Sequence, residues 1–384
     1  MEPHDVVNFV RELYNSPEGF IPLHAPYFGG NEKKYVLDTI ESTFVSSVGA
    51  YVDRFEEMMK QITNAKYAIA TVNGTTALHL ALLMAGVKRD EVVITQALTF
   101  VATANSIAHA GAVPAFVDVD LDTMGMSPEA LEDFLKERAI VKGTQVYLKS
   151  TGQRIAAVLP MHTFGLPLRI EKVVEISNRY NIPVVEDAAE SIGSYVGGVH
   201  TGNFGCIGTF SFNGNKTVTC GGGGALITND ESIAKHAKYV STTAKRPHPY
   251  LFFHDEVGYN YRMPNLNAAL ACAQLEQLEK FLAVKRNLAQ KYIDFFEGSD
   301  IRFMKEPKGT KSNYWLNTIQ LKDLEARNLF LQEMNKADIM TRPVWTLMTK
   351  LPMYANCEHD ELTNSSLFEE RIINLPSSVI KNQE

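Results

Sequence analysis

Short, largely apolar segments alternate with helix-like segments over about the first 230 residues of this chain. These apolar segments cover residues 67–72, 91–95, 115–119, 155–160 and 183–187. Strands that are buried on both faces read as continuous apolar runs, whereas strands with one solvated face alternate. The pattern therefore predicts an α/β fold whose large domain contains a mostly parallel, doubly wound sheet.

The regular alternation of strand-like and helix-like segments is no longer seen past about residue 250. A long helix is predicted over residues 266–296, followed by a strand over 314–321 and a helix over 324–336. With 384 residues, two domains are also expected from length alone. We predict a large domain over residues 1–250 and a smaller C-terminal α+β domain over 251–384.

Composition and charge exclude several classes of protein. The formal net charge of −7 argues against a non-specific nucleic-acid binder, which would normally be basic. The 4 cysteines form no CxxC pair and have no zinc-ligand spacing, so we expect a reduced cytoplasmic protein without a metal site. The N-terminus lacks a signal-peptide pattern, and no apolar run reaches the ~18 residues of a membrane span, so no membrane partner is expected.

A candidate anion site follows the first predicted strand. Gly74, Thr75 and Thr76 stand between that strand and the next helix. Ligands bind parallel sheets beyond the carboxyl ends of their strands, and free N–H groups at a helix N-terminus favour an anion. The alternative is an ordinary helix cap, which threonine often provides.

Lys216 and Asp187 form the most informative pair of residues in the chain. Lys216 lies in a polar turn before the glycine run 221–224, and Asp187 ends an apolar segment. A pyridoxal phosphate enzyme needs a lysine amine to form a Schiff base and a carboxylate to keep the pyridine nitrogen protonated. The alternatives are a flexible loop lysine and a helix-capping aspartate, although the glycine run predicts backbone packed closely against another segment.

Five further residues are candidates for ligand contacts. Phe100 could stack on a cofactor ring or belong to the core, and the Ser211 hydroxyl could donate to a phosphate. Asn260 and Arg262 form a polar pair that could bind phosphate or carboxylate groups, or serve only the local turn. His162 is either a substrate contact or a hydrogen-bonded structural histidine.

Taken together, the chain resembles the fold-type I pyridoxal phosphate transferases, and specifically the nucleotide-sugar aminotransferases of the DegT type. The resemblance extends from residue 21 to about residue 376, and its most specific segments are 73–78, 111–119, 186–190, 211–216 and 258–263. It implies a homodimer with shared active sites and pyridoxal 5'-phosphate as the cofactor.

The resemblance also implies roles for individual residues. Lys216 would bind the cofactor covalently and later move a proton, Asp187 would pair with the pyridine nitrogen, and Phe100 would stack on the ring. Glu190, where many relatives have glutamine or histidine, would assist at the amino position. The cofactor phosphate would be held by Gly74, Thr75, Thr76 and Ser211, with Asn260 reaching it from the other subunit, while Arg262 and His162 are candidate substrate contacts.

The reaction implied by the resemblance is a ping-pong transamination. Glutamate would supply the amino group, and C4 of a nucleotide-linked 4-keto-6-deoxy sugar would receive it. Segments 42–49 and 341–345 resemble the branch acting on UDP-2-acetamido-4-keto-2,6-dideoxyhexose for lipopolysaccharide or O-antigen biosynthesis. The alternatives are a 3-keto sugar aminotransferase on a dTDP or GDP sugar, a sugar 3-dehydratase, which would have histidine in place of Lys216, and a non-catalytic relative.

Overall fold

A computed structural model of the chain describes residues 1–380. The helices of the first 250 residues are α1 (Pro3–Leu13), α2 (Glu32–Glu41), α3 (Ala50–Thr63), α4 (Gly74–Met84), α5 (Val101–His109), α6 (Pro128–Arg138), α7 (Ile170–Arg179) and α8 (Glu231–Ser241). The strands of the same part are β1 (Tyr67–Thr71), β2 (Val92–Gln96), β3 (Val113–Val117), β4 (Ala139–Lys142), β5 (Gln145–Leu148), β6 (Ile155–Leu159), β7 (Val185–Asp187), β8 (Tyr195–Val196), β9 (Val199–His200), β10 (Ile207–Ser211) and β11 (Gly224–Thr228).

The central sheet is built from two hydrogen-bonded ladders, β3-β2-β6 and β7-β10-β11-β1. Parallel bridges join them, pairing Val158 with Val184 and Met161 with Asp187. Within this sheet β11 is antiparallel to both of its neighbours, and the remaining pairs are parallel. The predicted α/β fold with a mostly parallel sheet is therefore confirmed, and the carboxyl ends of the parallel strands meet at one edge.

The elements after residue 250 include a four-stranded antiparallel sheet, in the order β12-β14-β16-β15. In chain order the elements are α9 (Asn265–Leu275), α10 (Leu278–Phe296), β12 (Arg302–Phe303), β13 (Thr310–Lys311), β14 (Asn317–Gln320), α11 (Leu324–Lys336), β15 (Arg342–Pro343), α12 (Thr363–Arg371) and β16 (Ile372–Leu375). Strand β13 pairs instead with β8 of the first part.

The long helix predicted over residues 266–296 is interrupted between α9 and α10. The backbone N–H of Gln277 donates to the Gln274 carbonyl, three residues back, at 3.0 Å. The Gln277 side-chain amide donates instead to the Ala273 carbonyl at 3.2 Å. That carbonyl is the one that a continuous α-helix would assign to the Gln277 backbone, so the side chain takes the place of a helical backbone bond between α9 and α10.

Packing crosses the predicted domain boundary in both directions. Val6 and Val10 of α1 belong to the same apolar cluster as Met334 of α11, while Cys272 of α9 packs in a cluster with Phe55 of α3. The boundary near residue 250 stays a prediction. Within residues 1–380, none of the helices has the length and apolarity needed to cross a membrane.

Candidate active site

A cavity of about 310 Å³ opens at the edge where the parallel strands end. Residues that follow β1, β2, β7 and β10 contribute to its wall, as expected for a doubly wound sheet. Its volume lies at the lower end of the range typical of small-molecule pockets, about 300–1,000 Å³. The sequence-predicted residues that line it are Gly74, Thr75, Phe100, Asp187, Glu190, Ser211 and Lys216.

The Lys216 amine is held inside this cavity by two neighbours. Its Nζ donates to Glu190 Oε1 at 3.0 Å and lies 3.9 Å from the centroid of the Trp315 ring. The side chain is 12% exposed, which leaves the amine accessible to a small ligand while most of its stem is covered. Lys216 is thus positioned as a nucleophile or a proton carrier rather than as a free loop lysine.

Glu190 is a buried carboxyl that faces this amine. Burial raises the pKa of Glu190 to about 7, against the opposing effect of Lys216. Its second oxygen accepts from the backbone N–H of Phe164 at 2.9 Å. Phe164 itself has a left-handed backbone conformation with a φ of 56°, which is uncommon for a bulky residue. Glu190 can therefore take up or release a proton near neutral pH directly beside the Lys216 amine.

Asp187 is the second buried carboxyl of the cavity and is only 2% exposed. Its oxygens accept from the Thr103 hydroxyl at 2.8 Å and from the Ala189 N–H at 3.1 Å. Burial raises the pKa of Asp187 above its usual value. A cation in the cavity would offset the cost of burying this carboxylate, and a protonated pyridine nitrogen is such a cation.

The start of α4 lies at the cavity wall, where the sequence predicts an anion site. The Asn73 side chain caps this helix by accepting from the Thr76 N–H at 2.8 Å. A Cβ atom on Gly74 would lie 2.7 Å from the Ser211 Cβ atom, so only glycine allows this close approach of the helix N-terminus to the end of β10. The hydroxyls of Thr75 and Ser211 add donors for a bound phosphate.

The glycine run 221–224 has a structural explanation at its last position. A Cβ atom on Gly224 would lie 2.4 Å from the Asn73 carbonyl oxygen. The start of β11 can therefore pack directly beneath the turn that precedes Gly74, which confirms the predicted close packing of this backbone. The same strand start pairs with Ser211, so Gly224 lies next to both the turn before Gly74 and the end of β10.

Four sequence-predicted residues lie outside the cavity wall. The Thr76 hydroxyl donates to the Asn73 carbonyl at 2.9 Å as part of the helix cap. His162 is fully buried and its Nε2 lies 3.0 Å from Glu186 Oε2, which corresponds to the structural histidine rather than to the substrate contact. Arg262 donates to the exposed Asn260 at 3.0 Å.

Several wall residues were not predicted individually. Asn213, Asn215 and Trp345 lie in segments that carry the family resemblance, whereas Thr103 and Trp315 had no recognisable signal in the sequence; all five line the cavity. Trp315 lies about 100 residues beyond Lys216 along the chain. Only the tertiary fold brings its ring to the amine.

The DegT/DnrJ/EryC1/StrS aminotransferase family matches residues 26–384 of the chain. The chain belongs to this family. Among curated relatives, it is 36% identical to the putative pyridoxal phosphate-dependent aminotransferase EpsN of Bacillus subtilis over 335 residues, which is 87% of this chain and 84% of that protein. It is also 36% identical to the GDP-perosamine synthase of Escherichia coli O157:H7 over 361 residues, which is 93% of each chain.

Solved structures agree with this assignment. A DegT/DnrJ/EryC1/StrS aminotransferase from Brucella abortus superposes with a TM-score of 0.82 at 26% identity and 90% coverage of both chains. Helicobacter pylori PseC, also an aminotransferase, has a TM-score of 0.84 at 21% identity over 93% of this chain and 94% of that one. The fold-type I assignment and the prediction of an aminotransferase are confirmed.

Pyridoxal phosphate is the cofactor of this family, which confirms the cofactor prediction. The residues of the cavity fit the group. Lys216 supplies an accessible amine, Asp187 supplies a buried carboxylate that a cation would stabilise, and the cradle between Gly74 and Ser211 has no room for a side chain. When bound, the cofactor supplies an electron sink for the reacting carbon.

Proposed function

We propose that this aminotransferase moves the amino group of glutamate onto C4 of a nucleotide-linked 4-keto-6-deoxy sugar. The observation that carries the proposal is the joint placement of the Lys216 amine, Glu190 and Asp187 in one cavity with the Gly74 anion site. The sugar acceptor is supported by the relatives named GDP-perosamine synthase, which include the Vibrio cholerae protein at 35% identity over 364 residues.

The proposed roles follow from the contacts. Asp187, anchored by Thr103 and Ala189, would keep the pyridine nitrogen protonated. Lys216 would carry a proton between the cofactor and the sugar carbon, as a positioned general acid and base. Glu190 lies within hydrogen-bond distance of that amine and would accept or return the proton near neutral pH.

The nucleotide is the open part of the proposal, and two candidates have specific support. The names of the curated relatives favour a GDP-linked sugar. Segments 42–49 and 341–345 favour UDP-2-acetamido-4-keto-2,6-dideoxyhexose, and the second of these contributes Trp345 to the cavity wall. The GDP sugar has the broader support, because it rests on relatives aligned over 93% of the chain.

A homodimer is part of the proposal. Asn260 and Arg262 lie outside the cavity of their own chain, in a segment that follows several exposed apolar residues. Among these, Phe252 is 80% exposed and Tyr250 is 79% exposed. Apolar side chains at this exposure are typical of a surface that is covered by a partner, and a second copy would bring Asn260 to the cofactor phosphate of its neighbour.

A substrate panel tests the proposal. Purified protein loaded with pyridoxal phosphate should be yellow, and glutamate should bleach that colour in the absence of any sugar. GDP-, UDP- and dTDP-linked 4-keto and 3-keto sugars are then added separately, and the amino sugar is identified by mass spectrometry. We expect turnover with a 4-keto sugar.

The panel also separates the alternatives. Product from 3-keto sugars alone would move the reaction to C3, and loss of a hydroxyl without gain of nitrogen would indicate a dehydratase. A protein that takes up no pyridoxal phosphate would contradict the enzyme assignment at this site.

A further inference from the structure

Trp315 covers one side of the reactive amine, although it belongs to the C-terminal half of the chain. Its ring centroid lies 3.9 Å from Lys216 Nζ. Its indole N–H donates to the Asn215 carbonyl, in the residue next to Lys216, at 2.7 Å. The indole therefore contacts both the amine and the backbone of the loop that carries it.

The backbone of Trp315 is held from two sides. Its N–H donates to Asn313 Oδ1 at 2.9 Å, and its carbonyl accepts from Lys285 Nζ at 3.1 Å. Lys285 is fully buried and also donates to the Ser377 carbonyl at 2.6 Å. A lysine buried at this depth needs hydrogen-bond acceptors, and the Trp315 carbonyl is one of them.

The same segment also holds the other neighbour of the amine. The Asn313 amide donates to the Glu190 carbonyl at 2.8 Å and to the Ile192 carbonyl at 2.9 Å. One short stretch of chain, residues 313–315, thus sets the position of the indole and of the Glu190 backbone together. The Lys216 amine lies between the indole ring and the Glu190 carboxylate.

We propose that Trp315 is a positioning residue that, with Glu190, forms a holding site for the free Lys216 amine. This inference rests on the proposed function, because transamination releases the amine from the cofactor during each cycle. The amine must then stay close enough to carry a proton. A cation over an indole face gains about 0.5–2 kcal/mol, which corresponds to roughly 2- to 30-fold in an equilibrium or a rate.

The alternative is that Trp315 only fills space, since it is 5% exposed and belongs to the same apolar cluster as Val6, Val10 and Met334. The two interpretations differ in what a leucine would do. Leucine keeps an apolar side chain but has no π face and no indole N–H. Phenylalanine keeps a weaker π face, so a holding role predicts that the reactivity of the Lys216 amine changes in the order Trp, Phe, Leu. Space filling predicts a loss of thermal stability in these variants without a selective change at Lys216.

The first test uses the protein without cofactor. Reductive methylation of Lys216 is followed by mass spectrometry in wild type, W315F and W315L, with W345L as the matched control. Trp345 lines the same cavity, but its ring contacts are to Phe100 and Phe164. We expect W315L to raise the methylation rate of Lys216 about 2- to 30-fold, W315F to fall between, and W345L to leave this rate near wild type.

The second test is the glutamate half-reaction, measured by loss of the yellow colour in a single turnover without sugar. We expect W315L to slow this step about 2- to 30-fold, while the Kd for pyridoxamine phosphate stays near the wild-type value. W315F should recover part of the rate, and if W315L fails to fold by thermal melting, W315F alone decides the comparison.

Two results would overturn the inference. One is wild-type methylation of Lys216 in both Trp315 variants, and the other is an equal change in W345L. Failure of the proposed function looks different, because wild-type protein would then fail to react with glutamate, whereas the methylation comparison needs neither cofactor nor sugar.

Discussion

Glu186 and Asp187 are neighbours in the sequence, but their carboxylates serve opposite sides of the sheet. Glu186 accepts from the backbone N–H groups of Gly202, Phe204 and Gly205 at 2.8, 2.6 and 2.7 Å. Asp187 faces the cavity and accepts from Thr103. Successive side chains of a strand point to opposite faces, so the strand register of β7 decides which acid can meet the cofactor.

Replacing Lys216 by alanine should abolish turnover while the cofactor still binds. The amine is the group in the cavity wall that can bond to the cofactor and carry the proton. We expect K216A to bind the cofactor without a covalent bond, seen as loss of the Lys216–cofactor mass adduct after borohydride reduction, and to lose at least ~10³-fold in kcat, in line with removal of a general acid–base group. Exposed Lys235 provides the control K235A, and transamination by K216A near the wild-type rate would refute the assignment.

Replacing Asp187 by asparagine should also impair the reaction. The amide would keep the shape of the side chain but could not neutralise a protonated pyridine nitrogen. We expect D187N to lower kcat/KM by at least ~10²-fold, because a charge-assisted partner is removed from a buried site. T103V removes the hydrogen bonds of this hydroxyl to Asp187 and to Thr99 but keeps the carboxylate charge, so its loss should be smaller; equal losses in both variants would contradict the role of the charge.

Glu190 makes stability depend on pH in a defined direction. Its folded-state pKa of about 7 lies above the usual 4.5, so between these values the folded chain holds a proton that the unfolded chain has released. The contribution of this group is therefore fully present below pH 4.5 and is lost as pH rises through 7. The shift corresponds to about 3 kcal/mol.

Replacing Glu190 by glutamine mimics the protonated side chain at every pH. We expect the melting temperature of E190Q apoprotein, relative to wild type, to rise between pH 5 and pH 8. Exposed Glu370 offers the control E370Q, whose difference from wild type should not change with pH. A pH-independent difference for E190Q would show that Glu190 does not titrate in this range.

The close approach of Gly74 to Ser211 should not tolerate a methyl group on Gly74. A Cβ atom there would lie 2.7 Å from the Ser211 Cβ atom, so the helix start or the end of β10 must shift. We expect G74A to weaken pyridoxal phosphate binding at least ~10-fold, measured by equilibrium dialysis, because the backbone donors would move away from the anion. A Cβ atom on Gly214, in the Lys216 loop, meets nothing within 4 Å, so G214A should bind the cofactor nearly as wild type does.

The cofactor side of the site could be predicted because its residues follow strands directly. Four of these residues stand at or just after the end of a strand of the mostly parallel sheet: Gly74, Phe100, Asp187 and Ser211. The carboxyl ends of parallel strands lie at the same edge of the sheet, independently of the loop conformations. His162 also follows a strand, yet it turns into the interior and meets Glu186. A position just after a strand therefore predicts at which edge of the sheet a residue lies, but it does not predict the direction in which the side chain points.

Local sequence by itself determined the alternation of strands and helices, the glycine positions that permit close packing, and the identities of the lysine and the acids. Tertiary structure alone decided which neighbours surround Lys216, since Trp315 reaches it from about 100 residues away. It also decided the interruption after α9, where the Gln277 side-chain amide donates to the Ala273 carbonyl in place of a helical backbone N–H. Periodicity reports which side of an element is buried, whereas a contact between distant segments depends on how the whole chain packs.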